Sequence, residues 1–230
     1  MLILALDAAT PAVSVALARG EYLLAETYLD VGLQHAARML AEVGRLFEVT
    51  ALRPNDVGAV AVTGGPGSFT GLRIGMSAAK GFCLGIGRPL VTVPTLEVLA
   101  ACLPFARLPV CAMLDARKGE VYAGLYDCSA ELPTSLGPAV AAPPEQVLAG
   151  RIGQPTIYAG EGARLCRSLI VQDAAALLAP GWYARPAARL VALLALERLR
   201  RGETADPATA EPDYLRPADA HVPRPALRGA

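Results

Sequence analysis

The sequence predicts a two-lobed α/β protein built on mixed sheets, and three observations carry that prediction. Across residues 2–94, apolar runs of strand length alternate with stretches of helical spacing. Around residues 104–109 this pattern resets. A shorter series of the same kind then follows, with a strand, a glycine turn, a returning strand and a strand-to-helix unit.

Taken in order, "LILALDA" (2–8) is a buried strand, and "AVSVALAR" (12–19) and "YLLAETYL" (22–29) complete a meander of three. Leu33, Ala36, Ala37, Leu40, Val43, Leu46 and Phe47 recur at helical spacing across 33–47. "GAVAVT" (58–63) is again a buried strand, followed by a glycine loop, a helix over 70–86 and a strand at 89–94. Three strands, helix, strand, helix, strand is the order of a ribonuclease-H-like unit. In the second half, 108–127 reads as a hairpin turning at Arg117–Gly119, and 156–169 as strand, Gly-x-Gly turn and helix. A helix is expected at 187–201, and 129–155 is rich in proline and alanine and gives weak signals. The expected organisation is a first lobe at 1–105, a smaller second lobe at 106–216 and a tail at 217–230.

With 230 residues the chain is long enough for a sizeable core. Lys plus Arg equals Asp plus Glu at 21 each, so no global field draws it to nucleic acid or to an acidic membrane surface. No apolar run approaches the ~18 residues of a membrane span, and the N-terminal apolar run has no basic leader. The five cysteines are scattered without a Cys-x-x-Cys pair and read as buried thiols of a reducing, cytoplasmic protein.

The stretch "GGPGSFTGLRIG", Gly64–Gly75, places five glycines between a strand and a helix. Gly64, Gly65 and Gly67 permit close backbone approach, and Ser68 or Thr70 can cap the helix. With Thr70 as cap, Phe69 and Ile74 fall at the positions of a hydrophobic staple. Helix-start amides favour an anion, yet the lysine of a phosphate-binding loop is missing, as is the third glycine of a dinucleotide fingerprint. Tight turn and anion site both stay open here. Asp7, ending the first strand, could orient water or a magnesium ion, or close an Asx-type turn onto Ala9 or Thr10. Asp115 ends the corresponding strand of the second half and reads as a turn cap; Arg117, Lys118 and Glu120 beside it form a solvated cluster. Gly160-x-Gly162 reads as the turn into a helix, with an adenine contact as the sharper alternative. Only two histidines exist, His35 and His221, too far apart for a helical metal pair, and Ser68 has no base set to make it a nucleophile.

"ILALDAAT", "GGPGSFTGLRIG", "PTLEVLA", "DARKGEVYAGLY" and "EPDYLR" occur in an order that resembles the bacterial TsaB (YeaZ) family from residue 2 to about 216. One departure is "DAAT" where that family often has "DTST". The resemblance implies an actin-like fold of the Hsp70 and sugar-kinase kind. It also implies a non-catalytic role in placing threonylcarbamoyl on the adenosine next to the anticodon of tRNAs. The partners it implies are the catalytic paralogue TsaD, in a heterodimer, and the ATPase TsaE, with tRNA met through the complex. It assigns no cofactor to the lone chain and leaves ATP or ADP to the partner complex. The partner face would be the helices 33–47 and 70–86, with Leu33, His35, Met39, Phe69, Arg73, Met76 and Lys80 as contacts. Asp7, Thr10, Gly65, Gly67 and Ser68 would form a vestigial phosphate loop. Two other functions compete: an ATP-dependent phosphotransferase using Asp7, Asp115 and Gly160–Gly162, and a glycoprotease, which the histidine count disfavours. Whether the isolated chain pairs with itself through the same helices is not set by the sequence.

Overall fold

The computed structural model describes residues 1–30 and 35–215, with residues 35–37 described in backbone only. The first lobe holds β1 (Leu2–Asp7), β2 (Ala12–Arg19), β3 (Tyr22–Asp30), α1 (His35–Thr50), β4 (Ala59–Gly65), α2 (Phe69–Ile86), β5 (Leu90–Pro94) and α3 (Thr95–Ala100). The second holds β6 (Val110–Arg117), β7 (Glu120–Asp127), β8 (Thr134–Ser135), β9 (Val140–Ala142), α4 (Pro144–Ala149), β10 (Thr156–Ala159), α5 (Glu161–Leu165), α6 (Arg167–Ile170) and β11 (Ala176–Leu178). The chain then enters α7 (Ala188–Arg200).

The first sheet runs β3-β2-β1-β4-β5, with β4 parallel to both β1 and β5 and the meander antiparallel. The second runs β11-β10-β6-β7-β8, with β9 also on β7, and its strand senses match. The second lobe therefore repeats the first, with the third strand split into β8 and β9 and the helices shortened. Those pieces are the weakly signalled 129–155 segment. Among the described residues, no helix is long and apolar enough to cross a membrane.

Successive side chains of a strand point to opposite faces, and β1 uses the two faces differently. Leu2, Leu4 and Leu6 meet Met39, Val43, Leu46 and Phe47 of α1 and Met76, Ala79 and Cys83 of α2. Ile3 and Ala5, with Ala16, Ala61, Val91 and Val93, meet Ala188, Val191, Ala192 and Ala195 of α7. Small residues on both sides of that second layer let α7 lie close to the sheet. This corrects the expected 106–216 lobe at its C-terminal end, because α7 belongs to the first lobe. Arg198 on α7 donates to Glu97 on α3 at 2.6 Å, both side chains largely covered.

The start of α2 is pressed onto the end of β1. Ser68 N donates to Ala9 O at 2.7 Å, and a Cβ on Gly71 would lie 1.9 Å from Ala8 O. By contrast, a Cβ on Gly81, on the exposed side of the same helix, meets nothing within 4 Å. Gly71→Ala is therefore expected to destabilise the fold by roughly 1–3 kcal/mol or more through overpacking. Gly81→Ala should stabilise it by about 0.5–1 kcal/mol through helix propensity. Urea denaturation of the two variants beside wild type checks the opposite signs.

Candidate functional site

Ser68 is the N-cap of α2, its hydroxyl oxygen accepting from Gly71 N at 3.2 Å. The Thr70 alternative is thus corrected: Phe69 already occupies the first helical position, and the staple that would pair it with Ile74 is not formed. The loop's glycines serve the chain's own backbone. Gly67 carries no Cβ because one would lie 2.4 Å from Ala9 O. Gly65, at φ +124°, has Asp213 O 2.2 Å from its would-be Cβ, and Gly64 O accepts from Asp213 N at 2.7 Å. The second lobe repeats the device, since Cβ atoms on Gly160 and Gly162 would run into the backbone of Met113 and Leu114. Gly160-x-Gly162 is the turn into α5.

Between the lobes lies a cleft of about 450 Å³. Thr10, Gly67, Ser68 and Phe69 wall one side, Asp115, Arg117 and Lys118 the other, with Glu161 and Tyr214 also lining it. Asp115 makes the expected turn, accepting from Arg117 N at 2.7 Å, and pairs with the Arg117 guanidinium at 3.1 Å. Arg117 and Lys118 turn through left-handed backbone at φ 64° and 52°, which aims this corner at the cleft. Arg185 ties the lobes at the back, donating to Asp30 of β3 and lying 3.3 Å from Glu161 of α5. Burial pushes the Glu161 carboxyl above its usual range, and Arg185 offsets part of that.

Asp7 does not reach the cleft. It is fully buried; its Oδ1 accepts from Ala9 N at 3.2 Å and from the Thr63 hydroxyl at 2.8 Å, and its Oδ2 has no partner among the described residues. The Asx-type turn is realised, and the water-orienting or magnesium role loses its access. Thr10 does line the cleft, and its Oγ1 accepts from Ala12 N at 3.3 Å. Burial raises the Asp7 carboxyl from 3.8 to about 6 against the two hydrogen bonds that lower it. The folded state then holds this proton more tightly than the unfolded chain, so stability is greatest below about pH 4 and falls as pH rises through about 6. Urea denaturation across that range should show wild type losing roughly 2–3 kcal/mol relative to Asp7→Asn. Parallel pH profiles would contradict it.

The sequence-derived partner face divides into three groups. Met39 and Met76 are core residues, 0% and 3% exposed, which corrects their assignment to a surface: both sit in the stripe that covers the first sheet. Phe69, Arg73 and Lys80 stand at or near the surface, but all three touch the segment that follows α7, residues 203–215. Leu33 lies outside the described residues, as does His221, and of His35 only the helical backbone is described. What residue spacing did not single out is a groove of about 560 Å³ between α1 and α2, walled by Leu40, Phe69, Arg73, Ile74, Ser77 and Ala78 above buried Met39. Leu40, which its spacing places on the apolar stripe of the 33–47 helix, is 55% exposed at this groove, while Met39 takes the buried position.

A family model described as TsaD, tRNA N6-adenosine threonylcarbamoyltransferase, matches residues 30–224. The tRNA threonylcarbamoyladenosine biosynthesis protein TsaB of Bacillus subtilis is 30% identical over 227 residues, which span 96% of this chain and 97% of that protein. TsaB of Escherichia coli is 33% identical over 225 residues, 94% of this chain and 95% of that protein. The solved structure of YeaZ from Pseudomonas aeruginosa superposes with a TM-score of 0.82 at 31% identity, covering 93% of this chain and 99% of that one. The match to the transferase model marks a shared fold, of the actin-like kind, while the end-to-end matches at about 30% fix the branch. The chain belongs to the TsaB (YeaZ) family.

Proposed function

We propose that this chain acts in tRNA threonylcarbamoyladenosine biosynthesis as a non-catalytic subunit that binds and activates a TsaD paralogue. The observation that carries this reading is the open α1–α2 groove, with Leu40 and Phe69 exposed on a face that the chain's own core does not need. An apolar patch of this kind, with a polar rim supplied by Arg73 and Ser77, suits a protein partner. The names of its full-length relatives give the pathway. The glycine loop supports the same reading, since Gly65, Gly67 and Gly71 each answer to a backbone atom of this chain rather than leaving a cradle for phosphate. In this account TsaD carries the transfer chemistry, TsaE joins the complex as its ATPase, and ATP or ADP binds at that assembly. The tRNA substrate puts the work in the cytoplasm.

The competing phosphotransferase reading would place a nucleotide in the cleft between Ser68 and Arg117. The strand-end carboxylate of that reading, Asp7, is sealed beneath Thr63 and Ala9, and of the cleft's own carboxylates Asp115 is held by Arg117 and its turn while Glu161 pairs with Arg185.

Sedimentation of the chain with its cognate TsaD should give a one-to-one complex. Leu40→Glu is the variant of choice, since a charge at buried Met76 would unfold the lobe rather than probe its surface. It should weaken the complex by about tenfold or more, as expected for a charge introduced into an interface core, and leave the melting temperature unchanged. A chain that forms no complex and hydrolyses ATP alone would replace this reading with the phosphotransferase.

A further inference from the structure

Residues 203–215 return across the first lobe as a strap. Ala205 N donates to Leu90 O at 2.8 Å, at the start of β5. Lys80 Nζ, from α2, donates to Ala208 O at 3.2 Å and to Ala210 O at 2.9 Å. Asp213 is then pinned to Gly64 and presses on Gly65. One residue later, the Tyr214 ring packs on Phe69 with centroids 5.4 Å apart and planes tilted by 36°. Its hydroxyl accepts from Arg73 Nε at 3.2 Å, and the Arg73 guanidinium carbon stands 3.8 Å from the centroid of the Phe69 ring. Three side chains thus hold one another by a ring contact, a hydrogen bond and a cation–π contact.

The position of this cluster gives it meaning. Phe69 walls both the inter-lobe cleft and the α1–α2 groove, and Arg73 walls the groove, while no strap residue lines the groove. The strap leaves the groove open and fixes the two side chains on its rim. An unrestrained arginine loses up to about 2 kcal/mol of side-chain entropy when a partner immobilises it, and a rim fixed beforehand avoids that cost on binding.

We infer that Tyr214 is a positioning residue for the partner-binding face, holding Phe69 and Arg73 in the geometry that an incoming TsaD subunit meets. The inference rests on the partner reading above and adds to it a residue outside the groove and far from α2 in sequence.

The test uses the full-length chain with Tyr214→Ala and Tyr214→Phe, measuring affinity for TsaD by calorimetry and the Arg73 Nε–Hε resonance of the free chain by NMR. Tyr214→Ala should raise the Kd about tenfold. Tyr214→Phe keeps the ring on Phe69 and loses only the acceptor, so it should raise Kd by no more than about threefold and move the Arg73 resonance. A residue that merely stabilised the lobe would lower the melting temperature and leave the affinity of the folded chain for TsaD unchanged in both variants. Wild-type affinity in Tyr214→Ala would overturn the inference while the partner reading stood. Should Tyr214→Ala fail to fold, Tyr214→Phe decides, and an unmoved Arg73 resonance overturns the positioning role. If the wild-type chain has no affinity for TsaD, the partner reading itself fails; a moved resonance would then leave Tyr214 only as an intramolecular anchor, and the role proposed for it at a partner face would be overturned.

Discussion

The structure depends on one close contact, the seating of the α2 start on the end of β1. Ser68 donates its amide to Ala9 O, and Gly67 and Gly71 lie where any side chain would collide with Ala9 O and Ala8 O. That contact sets the angle at which α2 leaves the sheet, and so which of its residues are core and which are surface. Met76, Ala79 and Cys83 turn inward with α1's Met39, Val43 and Leu46. Phe69, Arg73, Ser77 and Ala78 turn outward, and the groove opens between the helices. Asp7 is drawn under the same junction, its carboxyl spending hydrogen bonds on Thr63 and Ala9 rather than on anything in the cleft.

A loop that looks like a nucleotide site thereby becomes a joint. Each glycine of an anion-binding loop is normally explained by ligand approach; here Gly65, Gly67 and Gly71 are explained by Asp213, Ala9 and Ala8. The second lobe repeats this with Gly160 and Gly162 against Met113 and Leu114, so the device goes with the strand-to-helix turn of each lobe. The two lobes differ in their helices. α1 and α2 are 16 and 18 residues long and leave an apolar face to spare, whereas α4 and α6, at 6 and 4 residues, are short.

Much of this was legible in the sequence, for physical reasons that differ by element. β1, β2 and β4 are written in near-continuous apolar runs because both faces of the first sheet are covered, and α2 shows its inner face as apolar and small residues at helical spacing. β8 and β9 were not, since strands of two and three residues carry no periodicity. α3 follows β5 without a loop, so its six residues carry no boundary signal. The α7 helix was readable, but its place was not: only the matching alanines, Ala188, Ala192 and Ala195 opposite Ala5, Ala16 and Ala61, reveal which sheet it covers. Met39 sits four residues before Val43, in register with the core stripe, and that spacing could have placed it inside. The strap left little trace because its anchors are backbone groups of Ala205, Ala208, Ala210 and Asp213, which almost any residue could provide. Tyr214 is the exception, readable as a residue of "EPDYLR" but not as a neighbour of Phe69.

In the function proposed above, the first lobe meets its partner through the α1–α2 face while the cleft loop is an internal joint. Hydrogen exchange of the chain, free and bound to TsaD, addresses this most directly. Binding should slow exchange in the described part of α1 around Leu40 and along α2 from Phe69 to Ala78, and leave the second-lobe wall at Asp115–Lys118 unchanged. Protection confined to that second-lobe wall and the glycine loop, with α1 and α2 exchanging as in the free chain, would contradict it.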